Sequence, residues 1–203
     1  MKDNSFDSEE FSLDDSEVNE ETEDMNEEKN INNLDLIKVI SDILTTIIEE
    51  NEKLPNIKQI VLNQKKMCFN EIAIPNVLIY DYLKRIQEYS FIERNTLILS
   101  LIYIDRLCTL GQITLTYYNI HRILFGSILV SIKFNEDTFY GNDYYAEIAG
   151  IKINELNLIE YNFILLCNYQ MFVSDEIFNH YNSYLISSSE IKKNNSSVKK
   201  EEF

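Results

Sequence analysis

Apolar residues recur along this chain at intervals of three and four, the spacing of a helix that buries one face. From Asn33 the stripe is Ile37, Ile40, Leu44, Ile47 and Ile48, with Asp42, Glu49 and Glu50 outside it, which predicts an amphipathic helix ending before Pro55. Residues 51–74 are irregular, and Ile57, Ile60, Val61, Leu62, Met67 and Phe69 point to a short docked helix. Pro75 suits the start of the next helix, whose stripe is Val77, Tyr80, Leu83, Ile86 and Tyr89. Residues 93–109 give another, largely apolar helix stopped near Gly111. Asp105 interrupts it and needs a partner there, for which Arg106, Arg85 and His121 are the candidates.

The stretch from Thr116 to Asp137 breaks the amphipathic pattern. Counting from Ile120, apolar residues stand at 123, 124, 125, 128, 129, 130 and 132, so no continuous polar stripe remains and the helix is expected to be buried on nearly every side. A helix of roughly 18 residues spans about 27 Å, long enough to be a hub for its neighbours. Thr116 is the expected N-cap. Gly126, Ser127 and Ser131 are small positions that let neighbouring backbones approach. Lys133, the first charge after the apolar run, is either a side chain reaching from a buried helix to solvent or a contact residue.

Beyond a loop at 138–142, Asp143–Ala149 reads as a short helix closed by Gly150. Asn154 to about Asn168 reads as a longer one, with Glu160 inside its apolar pattern. Ser174 is the expected cap of the last helix, with Asp175 and Glu176 in the first turn, where the helix dipole favours anions. Its stripe is Ile177, Phe178, Tyr181 and Leu185, after which a polar, frayed or disordered tail is expected. With four glycines, two prolines and few strand signals, the chain reads as all-α.

Charge separates a tail from a body. Residues 1–29 carry a balance of −11 out of the −16 of the chain, leaving −5 for the rest. Residues 1–32 cannot bury enough apolar area to offset ordering entropy and are expected to be a disordered acidic tail, with the domain at 33–187 and a polar tail at 188–203. Ser12, followed by Leu13, Asp14 and Asp15, matches an acidic-directed phosphorylation site. A net-negative body without a basic stripe argues against nucleic acid. Cys68, Cys108 and Cys167 have neither disulfide-framework nor zinc spacing, which suits a reducing, intracellular compartment, cytoplasm or nucleus. No leader pattern and no run of 18 apolar residues appears, so no membrane association is expected.

Enzyme signatures are lacking: there is no phosphate-binding glycine loop and no GxSxG, and His121 and His180 share no metal-ligand spacing with each other or with a cysteine. Asn135, Glu136, Asp137, Asn142 and Asp143 lack the alternation and closing glutamate of a calcium loop. The expectation is a protein without catalytic residues, cofactor, metal or small-molecule substrate.

Taken together, IYIDRL at 102–107, NIHRILFGSILVSIKFNED at 119–137, YYAEIAG at 144–150 and ELNLIEYNFILL at 155–166 resemble a cyclin box, nearest to the P/U type of phosphate-pathway and plant U-type cyclins. The NIHR entry, the NDYYAEIAG segment and the preceding helix VISDILTTIIEENEKL at 39–54 mark the type. The resemblance implies a five-helix box at about residues 76–169 with one flanking helix on each side. It also implies binding to a cyclin-dependent kinase against the kinase C helix. The family's lysine at the end of the central helix and glutamate in the fifth fall on Lys133 and Glu160, and apolar contacts fall on Val130, Phe134, Ile164, Tyr169 and Met171. The arginine with which some cyclins dock substrates, and which pairs with the aspartate found here as Asp105, is replaced by Asn76. No second repeat follows, as expected for the type. The alternative reading is a helical protein-interaction scaffold of the same fold.

Overall fold

The computed structural model describes residues 32–64 and 67–198, with side chains up to residue 191. The acidic stretch, Ser12 included, and residues 199–203 lie outside the described residues. Those described form eight helices and no strand: α1 (Asn33–Glu52), α2 (Ile57–Gln64), α3 (Ile79–Ser90), α4 (Arg94–Leu110), α5 (Ile120–Asn135), α6 (Asn142–Ala149), α7 (Ile153–Leu166) and α8 (Asp175–Val198).

α5 is the hub. From Ile120 to Ile132 every residue except Arg122 is buried, and α4 and α7 pack along it. Gly126 is where α7 comes closest: a Cβ there would stand 2.8 Å from Ile159 Cγ2 and 3.3 Å from the Phe163 ring. The glycine therefore costs helix propensity in exchange for contact with α7. α1 lies against α3 and α8, and α6 bridges α3 and α7. α6 ends on Gly150 at φ 72°, the left-handed closure expected of a glycine after a helix.

Several boundaries differ from the sequence reading, each for a tertiary reason. Asn119, not Thr116, is the N-cap of α5. The Asn119 side chain closes the preceding turn, accepting from the Thr116 N–H at 2.8 Å and donating to the Thr114 carbonyl at 2.9 Å. α3 starts at Ile79 instead of near Pro75. The Val77 carbonyl is held outside the helix by His121 Nε2 at 2.8 Å, and the buried face becomes Ile79, Tyr82, Leu83 and Ile86 while Val77 and Tyr89 stay exposed. α8 does not fray after Leu185 but continues to Val198, with Ser189 buried.

Asp105 pairs with none of the three candidates. Its Oδ2 accepts from the Tyr181 hydroxyl of α8 at 2.9 Å. Burial, then that hydrogen bond, push the Tyr181 hydroxyl up to about 12, so it remains a donor. Arg106 instead donates to the Gln170 and Phe172 carbonyls at 2.6 and 2.9 Å. Arg85 lies over the Tyr82 ring, 5.2 Å from its centroid, and His121 is committed to Val77.

Candidate functional site

Lys133 and Glu160 meet where α5 emerges from the core. Lys133 Nζ lies 2.7 and 2.9 Å from the two carboxylate oxygens of Glu160. Asn142, the first residue of α6, donates to Glu160 Oε2 at 2.7 Å. Three helices thus converge on one carboxylate. The pair is neither sealed in nor free, with 25% of the lysine and 18% of the glutamate side chain exposed. A pair in this state is already aligned, and a partner's backbone or side-chain groups can join it without a new ordering cost for both long side chains.

Sequence period explains why this charge lies where it does. On α7, Leu156, Ile159 and Phe163 face the core, and Glu160 and Ile164 each follow one of these by a single residue, at the edge of the buried face. On α5, Lys133 is the last helical charge and Phe134 follows it into solvent, 57% exposed. A basic residue in the last turn also suits the negative end of the helix dipole.

After α7 the chain turns through Asn168 and Tyr169, both at positive φ, into a linker pinned from α4. The Tyr103 hydroxyl donates to the Met171 carbonyl at 2.7 Å, and Arg106 holds the carbonyls on either side. This pinning drives the Met171 side chain inward and leaves Tyr169 and Phe172 exposed at 66% and 78%.

Of the seven residues singled out from the sequence, Lys133 and Glu160 touch, and Phe134 and Tyr169 are exposed while Ile164 is half-buried. Val130 and Met171 are buried, so in the free chain they offer a partner almost no surface. Sequence reasoning weighed Asn142 only as a calcium-loop residue and passed over Phe172. Nothing in the sequence separated exposed Phe172 from buried Met171 beside it, and nothing signalled the Asn142 bond to Glu160.

The opposite end of α5 carries a second ion cluster. Arg122 donates from Nε to Glu71 Oε1 at 2.7 Å, from Nη1 to the Cys68 carbonyl at 3.0 Å and from Nη2 to Glu155 Oε1 at 3.3 Å. The Lys152 N–H at the start of α7, with the guanidinium adding to it, holds the Glu155 carboxyl below its ordinary range. Nearby, burial lowers the His121 imidazole, against the smaller opposing effect of its bond to Val77. All three cysteines are free, and no described helix is long and apolar enough to cross a membrane.

The family model described as Cyclin matches residues 14–171. Cyclin-U4-1 of Arabidopsis thaliana is 30% identical over 151 residues, 74% of this chain and 74% of the relative. PHO85 cyclin-7 of Saccharomyces cerevisiae is 29% identical over 192 residues, covering 83% of this chain and 67% of the relative. Cyclin-P3-1 of Oryza sativa is 27% identical over 146 residues, 72% and 61% of the two chains.

Proposed function

Starting from the fact that this chain belongs to the cyclin family, within its P/U type, we propose that it binds its kinase through the edge built around the Lys133–Glu160 pair. It is a regulatory subunit of a cyclin-dependent kinase. The contact surface in this reading comprises Lys133, Glu160, Phe134, Ile164, Tyr169 and Phe172, with Val130 and Met171 as the core beneath them.

One observation carries the reading: a partly exposed, pre-aligned ion pair, with Phe134 next to Lys133 in the chain and Tyr169 and Phe172 after α7 left in water. Aromatic anchors with a small number of charges are the composition of interface centres, and their apolar area is unused in the free chain. The kinase C helix would lie along this edge, its apolar face on the aromatics and its backbone and polar groups on Lys133 and Glu160. Activation is then a population shift. By binding the kinase only with the C helix turned inward, the cyclin stabilises the ion pair between the β3 lysine and the C-helix glutamate that phosphoryl transfer requires. The chain does no chemistry itself, acts inside the cell and needs no cofactor.

The test is to purify the chain with a cyclin-dependent kinase and assay histone phosphorylation. Stable co-elution with activation supports the reading. Co-elution without activation, or activation undiminished by charge reversal at Lys133 and Glu160, refutes it and leaves a scaffold of cyclin fold.

A further inference from the structure

None of the residues of that edge lines a second feature, an apolar groove of about 470 Å³ between α1, α4 and α8. Its walls include Ile43, Ile47, Leu54, Ile104, Cys108 and Tyr184. Ile47 belongs to the apolar stripe of α1, yet it remains 40% exposed, and Leu54 and Tyr184 are exposed beside it. The volume lies within the roughly 300–1,000 Å³ of sites that receive ligands.

Its electrostatics are one-sided. Asp105 is the one charged residue among the described residues of the lining. Its Oδ2 takes the Tyr181 hydroxyl, and Oδ1 has no partner among the described residues. The groove is also built from the C-terminal halves of α1 and α4, residues 43–54 and 101–108 with the segment 113–115 that follows α4. Neither helix has a basic residue in its last turn, so the negative ends of both helix dipoles lie at this end of the molecule. Lys53 is spent on Glu50 at 2.6 Å, and Arg106 on the linker carbonyls. An apolar slot with a free carboxylate oxygen and two negative helix ends is complementary to an apolar segment that carries a cation.

We propose that this groove docks a short amphipathic segment of a partner protein. Apolar side chains one helical turn apart would fill it, and an adjoining Lys or Arg would pair with Asp105. Residues 1–29 of this chain, at −11, would bring like charge to the same carboxylate, which argues against self-occupancy.

Two labelled peptides of about 14 residues test this, with the same leucines at i, i+3, i+4 and i+7, one flanking the stripe with Arg and the other with Glu. Binding is followed by fluorescence polarisation and amide shifts, using the full chain and its Asp105→Asn and Ile47→Glu variants, each checked by thermal melting. The Arg peptide should bind and shift the amides of Ile47, Leu54 and Cys108. The Glu peptide, or the Asp105→Asn protein, should weaken binding about tenfold, the scale of one interfacial charge contact, and Ile47→Glu should abolish it. If Ile47→Glu does not fold, Asp105→Asn still decides. Failure of the Arg peptide to bind overturns the proposal, as does binding indifferent to either charge. Two further results overturn it in favour of another occupant: a dimer by sedimentation that Ile47→Glu abolishes, or tighter peptide binding after removal of residues 1–31.

Discussion

Both ends of α5 are tied to α7 by an ion pair, and the two ties differ in kind. At the N-terminal end Arg122 spreads its guanidinium over a carboxylate and a carbonyl from the α2–α3 connector and a carboxylate from α7. A planar fork with several fixed acceptors joins segments of the chain. At the C-terminal end Lys133, a compact charge on a flexible stem, meets one carboxylate, with exposed Phe134 next to it in the chain. Both arrangements have their acceptors within the chain; the first ties three segments together, and the second leaves 25% of the lysine and 18% of the glutamate side chain exposed, which under the proposed function is capacity for a partner. Ion pairs of similar length, one 2.7 Å from Arg122 and one 2.7 Å from Lys133, thus sit in different surroundings, and the proposed function assigns them different ends.

The sharpest way to break this comparison is charge reversal at the C-terminal end. Lys133→Glu or Glu160→Lys should cost about 2–5 kcal/mol of kinase binding, roughly 30- to several-thousand-fold in affinity, with circular dichroism unchanged. The double reversal should restore the internal pair without restoring kinase binding. If the double variant binds normally, the pair only holds α5 to α7, and the two ends are alike.

Midway along α5, Gly126→Leu should destabilise the fold by about 1–3 kcal/mol or more, since overpacking costs that much and even a Cβ stands 2.8 Å from Ile159 Cγ2. Chemical denaturation reads this loss. A variant that melts like the parent but no longer binds kinase would mean that Gly126 faces the partner.

At the N-terminal end, Arg122→Met leaves Glu71 and the Cys68 carbonyl without their donor and should cost about 1–3 kcal/mol of stability, with kinase affinity retained in the folded protein. Loss of binding without loss of stability would erase the distinction between the two ends.

The smallest expected effect is a pH dependence from His121. Burial lowers its pKa below the ordinary 6.5, so as the pH falls through 6.5 the unfolded chain takes up a proton that the native chain resists. The contribution is full above 6.5 and is lost toward the lower folded value. Glu155, held below the ordinary 4.5, contributes only in more acidic solution. The melting temperature should therefore drop as the pH falls below about 6.5, and His121→Gln, which keeps a donor for the Val77 carbonyl, should flatten that drop. An unchanged slope in the variant would assign it to another group.

Periodicity alone established the helical class, the buried α5 and the reason for Gly126, because an apolar run without a polar face has no stable place except inside other helices. The resemblance set Lys133 and Glu160, 27 positions apart in sequence, on one face as two kinase-contacting groups; that they pair with each other across α5 and α7 came only with the structure. What a one-dimensional pattern does not encode is which neighbour completes each polar group. Asp105 found Tyr181 and Arg106 took linker carbonyls, both through contacts between elements distant in sequence, and Asn142 reached Glu160 on the next helix. The start of α3 shifted because His121 captured the Val77 carbonyl, and α8 continued through a polar run with Ser189 buried. The inward turn of Met171 and the exposure of Phe172 likewise follow from two side chains of α4 gripping the backbone beside them. Local sequence fixes propensity and face; the satisfaction of buried and half-buried polar groups is settled only when the helices meet, and it moves helix ends and interface edges by several residues.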